Sequence, residues 1–171
     1  MPIKAIIDYI EFPTPIGTLC AGATDQGICL LDFTDKNRGE AECKDLCKKL
    51  SAVIQSGSNP YLDQVKTELS EYFSGDRRQF SVPLHTPGTD FQRSVWRVLQ
   101  DIPYSETRSY KQQAAALNNP GAIRAVASAN GRNRVSIIIP CHRVIGSDGQ
   151  LVGYGGGLDR KKWLLDFEAG V

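Results

Sequence analysis

Three short apolar runs open the chain, at residues 3–12, 18–24 and 27–33, separated by Pro13-Thr14-Pro15-Ile16-Gly17 and Asp25-Gln26-Gly27. Turn residues between short β-type runs predict a small antiparallel meander, with Cys20 and Cys29 as packing residues inside two of its strands. The period then lengthens. Over about residues 40–52, Cys43, Leu46, Cys47 and Leu50 recur at helical spacing on one face. Asn59-Pro60 predicts the next helix, with asparagine as N-cap and proline at the first helical position. Val65, Leu69, Tyr72 and Phe73 line its apolar side, and Gly75 stops it. Residues 79–84 alternate through Phe80, Val82 and Leu84, which reads as another strand. His85-Thr86-Pro87-Gly88-Thr89 breaks all periodicity and is the expected domain boundary. The fold class is α+β: residues 1–85 as a small α/β scaffold with an antiparallel sheet, and residues 86–171 as a mostly helical domain.

The second half begins with a capping-box pattern, Thr89 with Gln92, followed by Phe91, Val95, Val98, Leu99 and Ile102 as the expected buried side of a helix. Ser109 with Gln112 repeats the device for a short helix through Leu117. Asn119-Pro120 is expected to cap and start a further helix, running through Ile123, Val126 and Ala127 to a stop near Gly131. Two short helices joined by a brief break, about residues 109–131, read as a winged helix-turn-helix, although an unrelated helical hairpin has the same pattern. The second helix carries Gly121, Ala122, Ala125, Ala127 and Ala129 around a single Arg124. Small side chains of this kind let a helix backbone approach a groove. The last helix, about residues 159–169, presents Trp163, Leu164 and Phe167 to the core, ends at Gly170 and leaves Glu168 able to face inward.

Composition adds a direction to this picture. The net charge of +1 divides unevenly: residues 1–85 hold 9 Lys and Arg against 12 Asp and Glu, net −3, whereas residues 86–171 hold 11 against 7, net +4. If either half meets a polyanion, it is the second. Five cysteines without regular spacing predict free thiols in a reducing compartment, the cytoplasm. No run approaches the ~18 apolar residues of a membrane span. Cys43 and Cys47 are spaced like half a metal site, yet no histidine or second pair lies near them in sequence, so a core stripe is the preferred reading.

Candidate chemistry concentrates in Ser136-Ile137-Ile138-Ile139-Pro140-Cys141-His142-Arg143-Val144. The isoleucine run predicts a buried segment that ends at Pro140, which has no N–H to continue a ladder. A thiol, an imidazole and a guanidinium follow in consecutive positions. A cysteine is nucleophilic as thiolate, and a neighbouring base or cation is what favours that form. Downstream, Gly153-Tyr154-Gly155-Gly156-Gly157 is suited to a pocket wall that a ligand approaches closely, and lacks the Gly-Lys-Ser/Thr ending of a phosphate loop.

The ordered set of Arg124-Ala125-Val126, Asn130-Gly131-Arg132-Asn133, Pro140-Cys141-His142-Arg143-Val144 and Gly153-Tyr154-Gly155-Gly156-Gly157 resembles the O6-alkylguanine-DNA alkyltransferases over roughly residues 89–168. The chain length matches a free-standing bacterial member. The resemblance implies direct DNA repair: irreversible transfer of the alkyl group from O6-alkylguanine, and from O4-alkylthymine, in duplex DNA onto Cys141, one turnover per protein molecule. It implies that His142, acting through water and oriented by Glu168, takes the thiol proton, that Tyr110 donates to the leaving purine, and that Asn133 ties the helix-turn-helix to the active-site segment. Arg124 is implied to enter the base stack of an extruded nucleotide, with Ala125, Arg132, Arg134 and Tyr110 at the DNA. Val144, Tyr154, Gly155 and Gly156 are implied to form the base pocket. No metal or small-molecule cofactor is implied; the partner is alkylated double-stranded DNA, with no membrane, and the protein a monomer. Two positions depart from the family pattern: Arg134 stands where proline is common, and Gly155 where some relatives carry serine.

Other classes remain to be weighed. A lesion sensor of the same fold has a different residue at the nucleophile position, so Cys141 argues against it. Bifunctional transcription regulators among the proteins this chain resembles join the module to an amino-terminal cysteine-rich zinc domain, whereas residues 1–85 lack four suitably spaced ligands and are acidic. A cysteine hydrolase would need Cys141 and His142 in contact, whereas adjacent side chains on an extended segment point to opposite faces.

Overall fold

The computed structural model describes residues 4–35 and 39–171. The chain forms two compact units, residues 1–87 and 88–171. Ile3, the first residue of the first expected strand, lies outside the described residues.

In the first unit, β1 (Ala5–Thr14), β2 (Gly17–Ala23) and β3 (Ile28–Phe33) form the expected antiparallel meander. The turn after β1 works because Gly17 takes φ +129°, a region L side chains avoid. A fourth strand, β4 (Ala52–Ser56), joins the other edge in parallel with β1, giving the order β3-β2-β1-β4. Its five residues follow helix α1 (Gly39–Leu50) directly, and only one, Ala52, is buried. An edge strand so short and so weakly patterned carries no alternation to read, and the expected helix ran through to Ala52 instead. The crossover through α1 makes the parallel pairing possible.

A core cluster packs Ile7, Cys20, Cys29 and Leu30 of the sheet with Leu46 of α1, and Cys43, Cys47 and Leu50 pack against it. Burial pushes the Cys43 thiol up to about 11, with the neighbouring Cys20 and Cys47 adding to the effect. These thiols behave as packing groups. Among the described residues no group of three or more His, Cys, Asp and Glu side chains is arranged to hold a metal ion. Helix α2 (Pro60–Phe73) starts as expected, with the Asn59 side chain accepting from the Tyr61 amide at 2.8 Å, and buries Leu62, Val65, Leu69 and Tyr72.

Residues 79–84 are not a strand. Pro83 interrupts any ladder, and only Leu84 makes a β-bridge, to Ile28. Besides the backbone bonds of that bridge, the segment is held by one carboxylate. Glu68, 3% exposed, accepts from the Ser81 amide at 2.9 Å, the Ser81 hydroxyl at 2.7 Å and the Val82 amide at 3.1 Å. Burial alone would raise its pKa, but these donors, with Gln64, hold it below the usual carboxylate range.

In the second unit the capping boxes form as expected at Thr89 with Gln92 and at Ser109 with Gln112, opening α3 (Asp90–Gln100) and α4 (Tyr110–Ala116). The buried face of α3 is Val95, Trp96 and Leu99, while Phe91 is 36% exposed. Trp96 takes that inward place and donates from Nε1 to the Ala129 carbonyl at 2.9 Å. Helix α5 spans Ile123–Gly131, starting three residues after Pro120. Asn119 does not cap it; the N-cap is Ala122 with no side-chain bond, and the Asn119 carbonyl accepts from the Ala122 amide in a turn. Two short parallel strands, β5 (Arg108–Ser109) and β6 (Val144–Ile145), pair beside these helices, and α6 (Leu158–Ala169) ends at Gly170 with φ +77°. No helix among the described residues is long and apolar enough to cross a membrane.

Replacing Glu68 by Ala leaves the Ser81 and Val82 amides without their acceptor, and is expected to destabilise the protein by about 3 kcal/mol. Urea unfolding of the variant beside the parent checks this.

Candidate active site

Cys141 begins a 3-10 turn, Cys141–Arg143, rather than ending an extended segment. The isoleucines before it are buried, at 1%, 8% and 1% exposure for Ile137, Ile138 and Ile139, but they form turns. Ile137 takes φ +72°, a left-handed value that is rare for a β-branched residue. The expectation that Cys141 and His142 point to opposite faces therefore loses its premise, since a 3-10 turn rotates successive side chains by about a third of a circle.

Asn133 holds this unusual backbone. Its Oδ1 accepts from the Val135 amide at 2.9 Å, and its Nδ2 donates to the Ile139 carbonyl at 2.8 Å and to Cys141 Sγ at 3.3 Å. The asparagine is 2% exposed. One side chain thus spans the loop from its start to the sulfur, which is half-buried.

His142 is fully buried. Its Nε2 donates to Glu168 Oε2 at 2.8 Å, which leaves Nδ1, also buried, as the unprotonated nitrogen without a protein partner. Burial pulls the imidazole pKa down, against the opposing pull of Glu168, so the ring is neutral near pH 7. Glu168, on α6, also receives Arg143 through Nε to Oε1 at 2.8 Å and Nη2 to Oε2 at 3.0 Å. Its burial would raise the carboxyl pKa; the hydrogen bonds from His142 and Arg143 outweigh that and hold it far below the usual range. Arg143 in turn donates to the Ile102 carbonyl at 2.7 Å. The sequence suggested this guanidinium as a cation for the thiol, but it is committed to Glu168.

A cavity of about 90 Å³ opens at the sulfur, lined by Cys141, Tyr110, Ala127, Asn130, Gly131, Gly153, Tyr154 and Gly155. Tyr154 stands edge-on to the His142 ring, with centroids 6.4 Å apart. Of the expected pocket residues, Tyr154 and Gly155 line this space, whereas Val144 and Gly156 are buried and do not. Tyr110 donates from its hydroxyl to the Val152 carbonyl at 2.8 Å, and burial, with the nearby Cys141, pushes its pKa up.

A wider groove of about 510 Å³ adjoins the cavity, sharing Tyr110, Ala127 and Gly153 with it and adding Lys111, Ile123, Arg124, Ser147 and Val152. Arg124 and Ala125 are exposed on α5, Arg132 is exposed just beyond it, and Arg134 is half-buried.

Lys161 was not anticipated. In Asp159-Arg160-Lys161-Lys162 it reads as part of a solvated charge run, yet it is fully buried and donates to the carbonyls of Val152 at 3.1 Å and Gly153 at 3.0 Å. Burial lowers its pKa to about 8, while Cys141 acts in the opposite sense. The signal was its spacing: Lys161, Leu164 and Glu168 fall on one face of α6.

Family profiles match both units: that of the 6-O-methylguanine DNA methyltransferase ribonuclease-like domain over residues 7–86, and that of the DNA binding domain over residues 90–170. A methylated-DNA–protein-cysteine methyltransferase of Mycolicibacterium paratuberculosis is 55% identical over 165 residues, covering 95% of this chain and 93% of the relative. The constitutive Bacillus subtilis protein of that name is 50% identical over 161 residues, 94% of each chain. A crystal structure of Mycobacterium tuberculosis OGT in complex with DNA superposes with a TM-score of 0.81 at 38% identity, covering 95% of this chain and 93% of that one. With profiles that together span most of its length, the chain belongs to the 6-O-methylguanine DNA methyltransferase family.

Proposed function

We propose that the protein repairs DNA directly, by transferring the alkyl group of O6-alkylguanine, and of O4-alkylthymine, from an extruded nucleotide of duplex DNA to Cys141. The observation that carries this reading is a half-buried thiol at the edge of a glycine-walled cavity, bonded to Asn133 and followed by a buried His142–Glu168 pair. Relatives at 55% and 50% identity carry the name of that activity. The alternative of a lesion sensor, which binds without transfer, finds no support in a site that retains its thiol.

Displacement at an alkyl carbon offers no carbonyl to polarise, so it demands a soft, strong nucleophile, and thiolate is suited to it. The Asn133 N–H and the ammonium of Lys161 both favour negative charge on the sulfur. His142 takes the thiol proton through water at Nδ1, the nitrogen that its bond to Glu168 leaves unprotonated. Glu168 and Arg143 fix the ring's tautomer and orientation, a positioning role. The S–C bond forms as the C–O6 bond breaks, and the electron pair of that bond passes to the purine. Tyr110 donates to the leaving purine, for which its hydroxyl must exchange the Val152 carbonyl for the base. The thioether has no group that water readily displaces, so each molecule acts once, and no metal, nucleotide or separate methyl donor takes part. The protein acts as a monomer in the cytoplasm.

DNA is held by the second unit. Arg124 on the exposed face of α5 enters the base stack, with the small Ala125 beside it, while Arg132 and Arg134 meet phosphates. The Mycobacterium tuberculosis protein of the same fold has been crystallised with DNA, which supports this assignment.

Incubation with excess duplex carrying one O6-methylguanine, followed by intact mass and peptide mapping, is expected to show one added methyl group, about 14 Da, at Cys141 and none in Cys141→Ser. Binding without a mass gain would replace this reading with the sensor. Arg132→Ala is expected to reduce the slope of log affinity against log salt by about one, measured by fluorescence anisotropy on unmodified duplex.

Protonation of the buried site sets a pH signature. The unfolded chain protonates histidine near its ordinary value of about 6.5, while the folded His142 resists a proton, so stability falls as pH drops through that value, by up to ~1.4 kcal/mol per pH unit. Glu168, with its folded pKa depressed, adds stability above its unfolded value of about 4.3, and that contribution is lost as pH falls toward the folded value. His142→Gln is therefore expected to flatten the loss of stability between about pH 7 and 5, as read from thermal midpoints across that range.

A further inference from the structure

Two helices meet beside the cavity through a pair of buried amides. Gln113 of α4, 1% exposed, donates from Nε2 to Asn130 Oδ1 at 2.8 Å, and Asn130 of α5, 8% exposed, donates from Nδ2 to Gln113 Oε1 at 2.8 Å. The pair is reciprocal, so neither amide can rotate without breaking both bonds. Asn130 also lines the cavity that holds the Cys141 sulfur. Gln113 sits one turn beyond Tyr110 on α4, and Asn130 one turn beyond Ala127 on α5; Tyr110 and Ala127 are two further lining residues.

The cavity's two sides are held by different bonds. At about 90 Å³ it is far smaller than the roughly 300–1,000 Å³ of pockets that enclose a drug-sized ligand, so a base with its adduct requires it to widen. The loop side, Gly153, Tyr154 and Gly155, includes a glycine at φ +67° and is held from α6 and α4 by Lys161, which donates to the Val152 and Gly153 carbonyls, and by the Tyr110 hydroxyl on Val152. The helix side is tied twice. The Trp96 indole grips the Ala129 carbonyl next to Asn130, and Gln113 fixes the Asn130 side chain, whose terminal torsion would otherwise be broad. Hydrogen bonds this far from water resist rearrangement more than exposed ones.

We propose that the Gln113–Asn130 pair is a specificity-determining device: it holds the α5 wall of the cavity rigid, and so restricts the size of adduct accepted. This rests on the alkyl-transfer reading above. Asn130 is the wall itself, and Gln113 is a positioning residue that acts through it. Gln113→Leu removes both bonds at similar volume and lets the Asn130 amide swing aside, which favours a large O6 substituent over methyl. Asn130→Ala clears the wall outright.

The test is single-turnover transfer from duplexes carrying O6-benzylguanine or O6-methylguanine, read as the ratio of the two rates. Gln113→Leu and Asn130→Ala are each expected to raise the benzyl-to-methyl ratio by about tenfold, the scale set by one net hydrogen bond of restraint. The exchanged pair Gln113→Asn with Asn130→Gln, which can restore reciprocal bonding, is expected to return the ratio to the parent value. A merely structural role would lower thermal stability and slow both substrates alike. An unchanged ratio in the single variants, or an exchanged pair that behaves like Gln113→Leu, would overturn the proposal. If the parent transfers neither group, the alkyl-transfer reading itself fails and this one with it; transfer by the parent with an invariant ratio sinks this one alone.

Discussion

The carboxylate of Glu168 is the point on which the second unit's chemistry depends. It lies near the end of α6, is 4% exposed, and gathers His142 and both prongs of Arg143. An isolated buried carboxylate would be untenable at neutral pH. Here the guanidinium supplies the compensating charge, which frees the imidazole to remain neutral. Arg143 then carries the tie onward to the Ile102 carbonyl, just past the end of α3. One negative charge thereby connects the last helix, the 3-10 turn and the segment after α3, and sets the tautomer of His142.

The loop that presents the thiol is organised from its other end. Asn133 bridges the amide of Val135, the carbonyl of Ile139 and the sulfur of Cys141, and between these anchors Ile137 sits in a left-handed conformation. Such a backbone persists only where its surroundings over-determine it. Asn133 and the burial of three isoleucines provide that surrounding. The nucleophile's position is therefore fixed by groups that take no part in bond making.

Local signals in the chain were legible wherever one short-range rule governed. The two capping boxes, the Asn59-Pro60 helix start and the three-strand meander all appear where their residues imply. Legibility failed where a distant group decided. Residues 79–84 alternate like a strand, but Glu68 satisfies the amides of Ser81 and Val82. Asn119-Pro120 has the form of a helix start, yet the helix begins later. The isoleucine run is as buried as its composition requires, while its turns follow from Asn133. Lys161 and Gln113 were hidden for a related reason: a polar side chain among polar neighbours reveals its burial only once the partner carbonyls or amide are known.

The position after Asn133 carries one more consequence. Arg134 is not a proline, and a proline in a compatible conformation stabilises a fold by narrowing the unfolded ensemble, by about 0.4–1 kcal/mol. Without that entropic restraint, the active-site loop is held by the bonds of Asn133, by its own backbone turns and by the burial of Ile137, Ile138 and Ile139. The loop's order thus comes from contacts of the folded state rather than from a narrowed unfolded ensemble.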